Sequence, residues 1–155
     1  MKMEETQVLS IPMTIYRNSP FVIINLEGKD LLFLVDSGAY GCLIDKKYVS
    51  IPDDMLGPEE QFVGLGDSRV AGNTVMAFFQ IGDERFCCPF SCLGNLCDTL
   101  PKFTDIGEVT GILGGEFLRN YEAVLDYKNS EMRIERNKIK EIMSAVLAQI
   151  TPPQM

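Results

Sequence analysis

Residues 31–41 read LLFLVDSGAYG: five apolar residues run straight into Asp-Ser-Gly-Ala. The run has the length and composition of a buried strand. The four residues after it have turn chemistry, since Asp and Ser hydrogen-bond nearby backbone and Gly accepts backbone conformations closed to other residues. Taken alone, the stretch reads first as an ordinary turn, with a device that holds the Asp36 carboxylate at the end of a rigid strand as the alternative. The rest of the chain has to decide between them.

The flanking sequence supplies the strand's partner. FVIINL (21–26) and LLFLV (31–35) enclose EGKD and form a predicted hairpin that delivers Asp36 at its far end. Upstream, VLSIPMTIY is apolar and interrupted by Pro12, with a turn predicted at Asn18-Ser19-Pro20. Downstream, CLIDKKYV carries a further short apolar stretch before the polar, proline-bearing SIPDDMLGPEE. Gly64, Gly66 and Gly72 punctuate a predicted polar loop, followed by two strand-like runs joined at Gly82-Asp83. Glycine-rich loops have large backbone freedom, so this segment is either a lid or an ordinary mobile loop.

A second apolar strand into a glycine bend occurs at 109–115, within EVTGILGGEFL. It predicts a strand ending at Leu113, a bend at Gly114-Gly115, and a short helix near Glu116–Asn120. A hairpin of AVLDY and MRIE comes next, turning around Lys128-Asn129. From Asn137 the period changes. Ile139, Ile142, Met143, Val146, Leu147 and Ile150 recur at helical spacing, an amphipathic helix that Pro152 and Pro153 terminate.

Composition bounds the function. A chain of 155 residues with 46% hydrophobic content supports one domain with a single core. The formal net charge of −8 and the lack of a Lys/Arg cluster leave nucleic acid with no electrostatic footing. The N-terminal MKMEETQVLS has no long apolar core, so no signal peptide is visible, and no window is long enough for a membrane span; the expectation is a cytoplasmic chain with no membrane partner, and a signal peptide already removed is the alternative. Five cysteines, an odd number, fit a reducing compartment. With no histidine anywhere, Ser-His-Asp and Cys-His machinery are excluded, and carboxylates, Lys, Tyr and Cys remain as acid-base groups.

The cluster CCPFSCLGNLC offers a rival chemistry. Cys88, Cys92 and Cys97 could ligate zinc, but structural zinc sites favour paired, closely spaced cysteines and no second pair is present. The alternative is that these cysteines stand at alternating positions in a strand and serve as small buried hydrophobes. The expectation is no metal and no cofactor.

Asp36-Ser37-Gly38-Ala39, a glycine-rich hairpin some thirty residues later, and Ile112-Leu113-Gly114 leading into a short helix resemble, in order and spacing, the retropepsin-like aspartic proteases of single-lobe, cellular or bacterial type. The resemblance spans residues 21–134. It implies a mainly β fold, a closed β-barrel lobe with a short helix after the second glycine loop, as domain 1–136; the periodicity adds the amphipathic helix with its Pro-containing tail at 137–155. It further implies that Asp36 is the catalytic aspartate and that Ser37, Gly38 and Ala39, with Ile112, Leu113 and Gly114, form and support the active-site loop. Gly64, Leu65, Gly66 and Gly72 would belong to a substrate-binding flap. Tyr40, Gly41 and Cys42 depart from the family pattern, which more often has a small hydroxyl or polar residue after the Ala.

Metal-free peptide hydrolysis by this class needs two carboxylates, one to take a proton from water and one to polarise the carbonyl. This chain has one Asp-(Ser/Thr)-Gly: Asp67-Ser68 is followed by Arg69, and Asp98-Thr99 by Leu100. The expectation is an aspartic endopeptidase acting on peptide or protein substrates as a homodimer, each subunit giving one Asp36 at a two-fold axis. A non-catalytic dimerisation or peptide-binding module, and a cysteine-based metal or redox protein, are the alternatives.

Overall fold

The computed structural model describes residues 7–50, 59–63, 69–94, 96–100 and 105–150. The strands are β1 (Val8–Pro12), β2 (Thr14–Tyr16), β3 (Ser19–Leu26), β4 (Lys29–Val35), β5 (Cys42–Asp45), β6 (Glu59–Val63), β7 (Arg69–Ile81), β8 (Glu84–Leu93), β9 (Val109–Leu113), β10 (Val124–Asp126) and β11 (Glu131–Glu135). The helices are α1 (Leu96–Thr99), α2 (Gly115–Asn120) and α3 (Arg136–Ile150), with a 3-10 turn at Lys46–Tyr48.

The hairpin of β3 and β4 turns at Glu27-Gly28. Both residues have positive φ, 53° and 83°, the two-residue geometry whose twist matches that of the strands it joins. The last pair before the turn is Leu26 with Lys29, so Lys29 and Asp30 belong to β4 rather than to the loop. Upstream, Arg17 and Asn18 take the positive-φ turn positions (50° and 66°), and Ser19 and Pro20 already lie in β3, with Pro20 opposite Ile15.

Strands run in the order β2-β3-β4-β9-β5-β8-β7-β6, and an additional pairing of Asn25 with Gln80 joins β3 to β7. Six strands thereby close into a barrel: β3, β4, β9, β5, β8 and β7. The two similar stretches of the sequence, 31–38 and 109–115, become direct neighbours. β9 lies parallel to β4, Leu34 opposite Ile112 and Val35 opposite Leu113, and antiparallel to β5 on its other side. All five residues of β9 are buried, as an apolar strand held between two others must be.

One irregularity sits in this pairing. The register shifts between Leu32 and Phe33, leaving Thr110 without a partner on β4, and its hydroxyl donates to the Leu32 carbonyl at 3.1 Å. The neighbouring Gly111 could carry no side chain: a Cβ would lie 2.4 Å from the Leu43 carbonyl oxygen and 2.5 Å from the Phe33 ring.

β1, β11 and β10 form a second, three-stranded sheet. Its inward residues Leu9, Ile11, Met132 and Ile134 join the barrel core. α3 lies against β8 and β11; Ile139 is buried, and Arg136 bridges Asp83 (2.9 Å) and Glu84 (3.0 Å) at the β7–β8 turn.

The centre of the core is aromatic. Phe79, Phe86, Phe90, Phe117 and Tyr121 pack with ring centroids 4.8–6.0 Å apart. Phe117 and Tyr121 belong to α2 and its C-terminal cap, so this cluster fixes the helix that comes after the second glycine bend. No helix among the described residues is long and apolar enough to cross a membrane.

Candidate functional site

Asp36 stands one residue past β4. Its backbone N–H donates to the Leu113 carbonyl at 3.0 Å, carrying the β4–β9 ladder one step further, and its own carbonyl accepts from Ala39 N–H at 3.1 Å. The chain is thus turned within three residues. The Gly38 N–H donates to Asp36 Oδ1 at 2.9 Å, the side-chain-to-backbone bond that Asp makes two residues on in tight turns. A Cβ on Gly38 would lie 3.2 Å from that same oxygen. Among the described residues Asp36 Oδ2 has no protein partner, and the side chain is half-buried.

The other wall of the site is the start of α2. Gly114 occupies the N-cap position with no side-chain cap. The first N–H groups of the helix, which have no partner within it, are satisfied by the Asp36 loop: Gly115 N–H donates to the Ala39 carbonyl at 2.6 Å and Glu116 N–H to the Tyr40 carbonyl at 2.8 Å. The loop and the helix are packed backbone on backbone. A Cβ on Gly114 would fall 2.1 Å from the Gly41 carbonyl oxygen, and one on Gly115 would fall 3.2 Å from that of Ala39. The chain of constraint runs from the aromatic core through Phe117 to α2, and from α2 through two hydrogen bonds to the Asp36 loop.

Two cavities flank this loop. One of about 640 Å³ is walled by Ser37–Tyr40 with Gly115, Glu116, Arg119 and Asn120. The second, about 510 Å³, is walled by Gly38–Leu43 together with Thr74 of β7, Pro89 and Ser91 of β8, and Glu116. Ser37 and Gly38 are exposed, and Tyr40, with 88% of its surface accessible, points outward rather than into the core.

The structure brings together Asp36, Ser37, Gly38 and Ala39 with Ile112, Leu113 and Gly114, residues some seventy-five positions apart. Gly64, Leu65 and Gly66 lie outside the described residues. Gly72 is not in a loop: it pairs with Glu60 of β6 and Leu93 of β8, inside β7. The glycine reads as a breaker in one dimension, but pairing on both sides holds it in the sheet. Glu116, Arg119, Thr74 and Ser91 line the cavities and were not singled out by the sequence. Glu116 carries one usable signal, its place directly after the two glycines. Thr74 and Ser91 carry none, because only the pairing of β8 with β5 and of β7 with β8 brings them near.

The cysteines are all buried free thiols. Cys42 is on β5, Cys87, Cys88 and Cys92 are on β8, and Cys97 is on α1 rather than in a strand. No group of three or more Cys, Asp or Glu side chains among the described residues is arranged to hold a metal ion. Asp45, also buried, binds α1 to β5 by accepting the Cys97 N–H at 2.9 Å, and accepts the Lys47 N–H at 3.0 Å. Burial pushes its carboxyl up, but these N–H donors outweigh burial and hold it below the ordinary aspartate value.

No model of a known protein family matches the sequence, and no curated protein does. Among solved structures, the fold is similar to the crystal structure of a retropepsin-like aspartic protease from Rickettsia conorii, with a TM-score of 0.53 and 14% sequence identity over 82% of this chain and 90% of that one. At that identity the likeness is one of fold. The mainly β chain, with its closed six-stranded barrel, its short helix after the second glycine bend and its C-terminal helix, has the retropepsin-like fold.

Proposed function

We propose that the chain is an aspartic endopeptidase that acts as a homodimer, with Asp36 of each subunit forming the catalytic pair. The observation that carries this reading is the anchoring of Asp36. Its backbone is bonded to Leu113, its Oδ1 to Gly38 N–H, and its loop to the start of α2, where Gly114 admits no side chain. A turn aspartate with a merely local role needs the Gly38 bond alone. The additional bonds, which tie a half-buried carboxylate to a distant part of the chain, are what a reacting group needs to keep its place.

One carboxylate cannot do the whole reaction. In the pair, the ionised carboxylate takes a proton from water as the water oxygen bonds to the peptide carbonyl carbon, while the protonated partner donates to the carbonyl oxygen. The tetrahedral intermediate collapses with cleavage of the C–N bond, and a proton passes to the leaving amine. The pair holds one proton at the start and one at the end. Since the chain has a single Asp-Ser-Gly, the second carboxylate comes from a second copy, and the small Ser37 and Gly38, exposed in the single chain, let two such loops approach. Ser37 would bridge the two loops, and the glycine hairpin beyond β6 would cover bound peptide.

The test has two arms on the full-length chain. Incubation with an unfolded protein substrate, followed by mass spectrometry of the fragments, should give discrete cleavages with the native sequence and none with Asp36→Asn. Sedimentation should show a dimer for both proteins. Equal cleavage by Asp36→Asn removes Asp36 from the chemistry, and a wild type that cleaves as a monomer removes the shared pair.

A further inference from the structure

Behind the Asp36 loop, two thiols face each other. Cys42 opens β5, one residue after the loop, and β5 runs parallel to β8 with Cys42 opposite Phe90. Cys88 lies two residues before Phe90 and so presents its side chain on the same face. The two sulfurs are 3.5 Å apart, with the Cys88 thiol donating to Cys42. Cys87, the preceding residue in the chain, turns the other way to Tyr121.

We propose that Cys42 and Cys88 are an oxidative modification site, in which a peroxide joins them in a disulfide that fastens the C-terminal end of the Asp36 loop to β8.

Geometry comes first. Cys42 stands opposite Phe90, so Cys42 and Cys88 are diagonal neighbours on one face of adjacent strands, and their side chains lean together until the sulfurs are 3.5 Å apart. Closing to a bond of about 2.05 Å takes rotation of both side chains and a small backbone shift at the start of β5, where the Asp36 loop ends. Access comes second. Both residues have little exposed surface, but Cys42 forms part of the wall of the 510 Å³ cavity, which is large enough for a small peroxide. Chemistry assigns the order of events. The Cys88 hydrogen bond, opposed by burial and aided by the Gly114 and Phe117 N–H groups, holds the Cys42 thiol below its ordinary value, while Cys88 is pushed well above it. Cys42 is therefore the attacking thiolate and Cys88 the resolving thiol.

The Cys42 sulfur attacks one peroxide oxygen and the O–O bond breaks, giving a sulfenic acid on Cys42 and, with the released proton, one water. Cys88 then attacks the sulfenic sulfur, the S–S bond forms, the S–O bond breaks, and a second water leaves. Two thiols are oxidised, and one hydroperoxide, hydrogen peroxide in the simplest case, is reduced. This inference does not depend on peptidase activity.

The experiment treats the native full-length chain with hydrogen peroxide, blocks remaining thiols with an alkylating agent in denaturant, and maps the peptides by mass spectrometry. The expected result is loss of two of the five thiols and a single linked peptide pair, Cys42 with Cys88. In Cys88→Ala the link should vanish, and Cys42 should be trapped as a sulfenic acid by a dimedone-type reagent. Five intact thiols, a link between other cysteines, or the same link forming equally fast in urea would overturn the proposal. The urea comparison uses the unaltered chain, so it decides the matter even if the variant does not fold.

Discussion

The Gly41 carbonyl and the Cα of Gly114 lie so close that a Cβ built on Gly114 would fall 2.1 Å from the Gly41 oxygen. Contact of this kind cannot be relieved by rotating a side chain, because both partners are backbone. Gly114→Ala should therefore push the Asp36 loop away from α2 and destabilise the fold by about 1–3 kcal/mol, the usual penalty of overpacking. Gly41→Ala has nothing within 4 Å of its new methyl and should stay within about 0.5 kcal/mol of the parent. Urea unfolding of the two variants checks the contrast, and equal midpoints would refute the close approach.

Asp36→Asn separates chemistry from structure at the same loop. The amide keeps an oxygen to accept the Gly38 N–H, so the turn should persist and the unfolding midpoint should barely move. Peptide hydrolysis should fall by about 10² to 10⁴ or more, since the substitution removes the group that would both take and give the proton. Steady-state cleavage of a peptide mapped from the wild-type reaction measures it.

How far the sequence alone reaches is visible in these two positions. Asp36 and Gly114 were both legible, because each ends an apolar run with a pattern of residue types that local physics recognises, and their pairing is a consequence of β4 and β9 being neighbours. Gly111 was not legible. Its side chain is forbidden by the Phe33 ring and the Leu43 carbonyl, contacts that exist only after β9 has entered between β4 and β5. The same holds for Thr74 and Ser91, brought to the cavity by pairing of β7 and β8 and of β5 and β8. Gly72 misleads for the converse reason: its local preference for a loop is overridden by strands on both sides.

Tyr121 tests the link between α2 and the barrel. Its buried hydroxyl donates to the Cys87 carbonyl at 2.9 Å and accepts the Cys87 N–H at 3.1 Å, serving both backbone groups of one β8 residue. Tyr121→Phe keeps the ring in its aromatic cluster but leaves that carbonyl and that N–H buried without partners. A loss of about 1–3 kcal/mol is expected. If the midpoint of urea unfolding is unchanged, the hydroxyl carries no structural role.

Asp45 gives the pH dependence. Its two oxygens take N–H donors from Cys97 (2.9 Å) and Lys47 (3.0 Å), and although burial pushes the carboxyl up, the donors prevail and its folded-state value lies below the ordinary one. In the window between that lowered value and the ordinary aspartate value of about 3.9, the unfolded chain binds more proton than the folded one, so stability rises with pH. The contribution is fully present above the ordinary value and is lost as pH falls through the folded one. Asp45→Asn has no proton to bind and places an amide N–H₂ where one backbone N–H now finds an acceptor. It should be less stable at neutral pH by about 1–3 kcal/mol, and its stability should fall less steeply on acidification. Other carboxylates titrate in the same range in both proteins, so the difference between the two curves of unfolding free energy against pH isolates Asp45. That difference should shrink as pH drops below about 4; two parallel curves would mean that the carboxylate is not held by α1 at all.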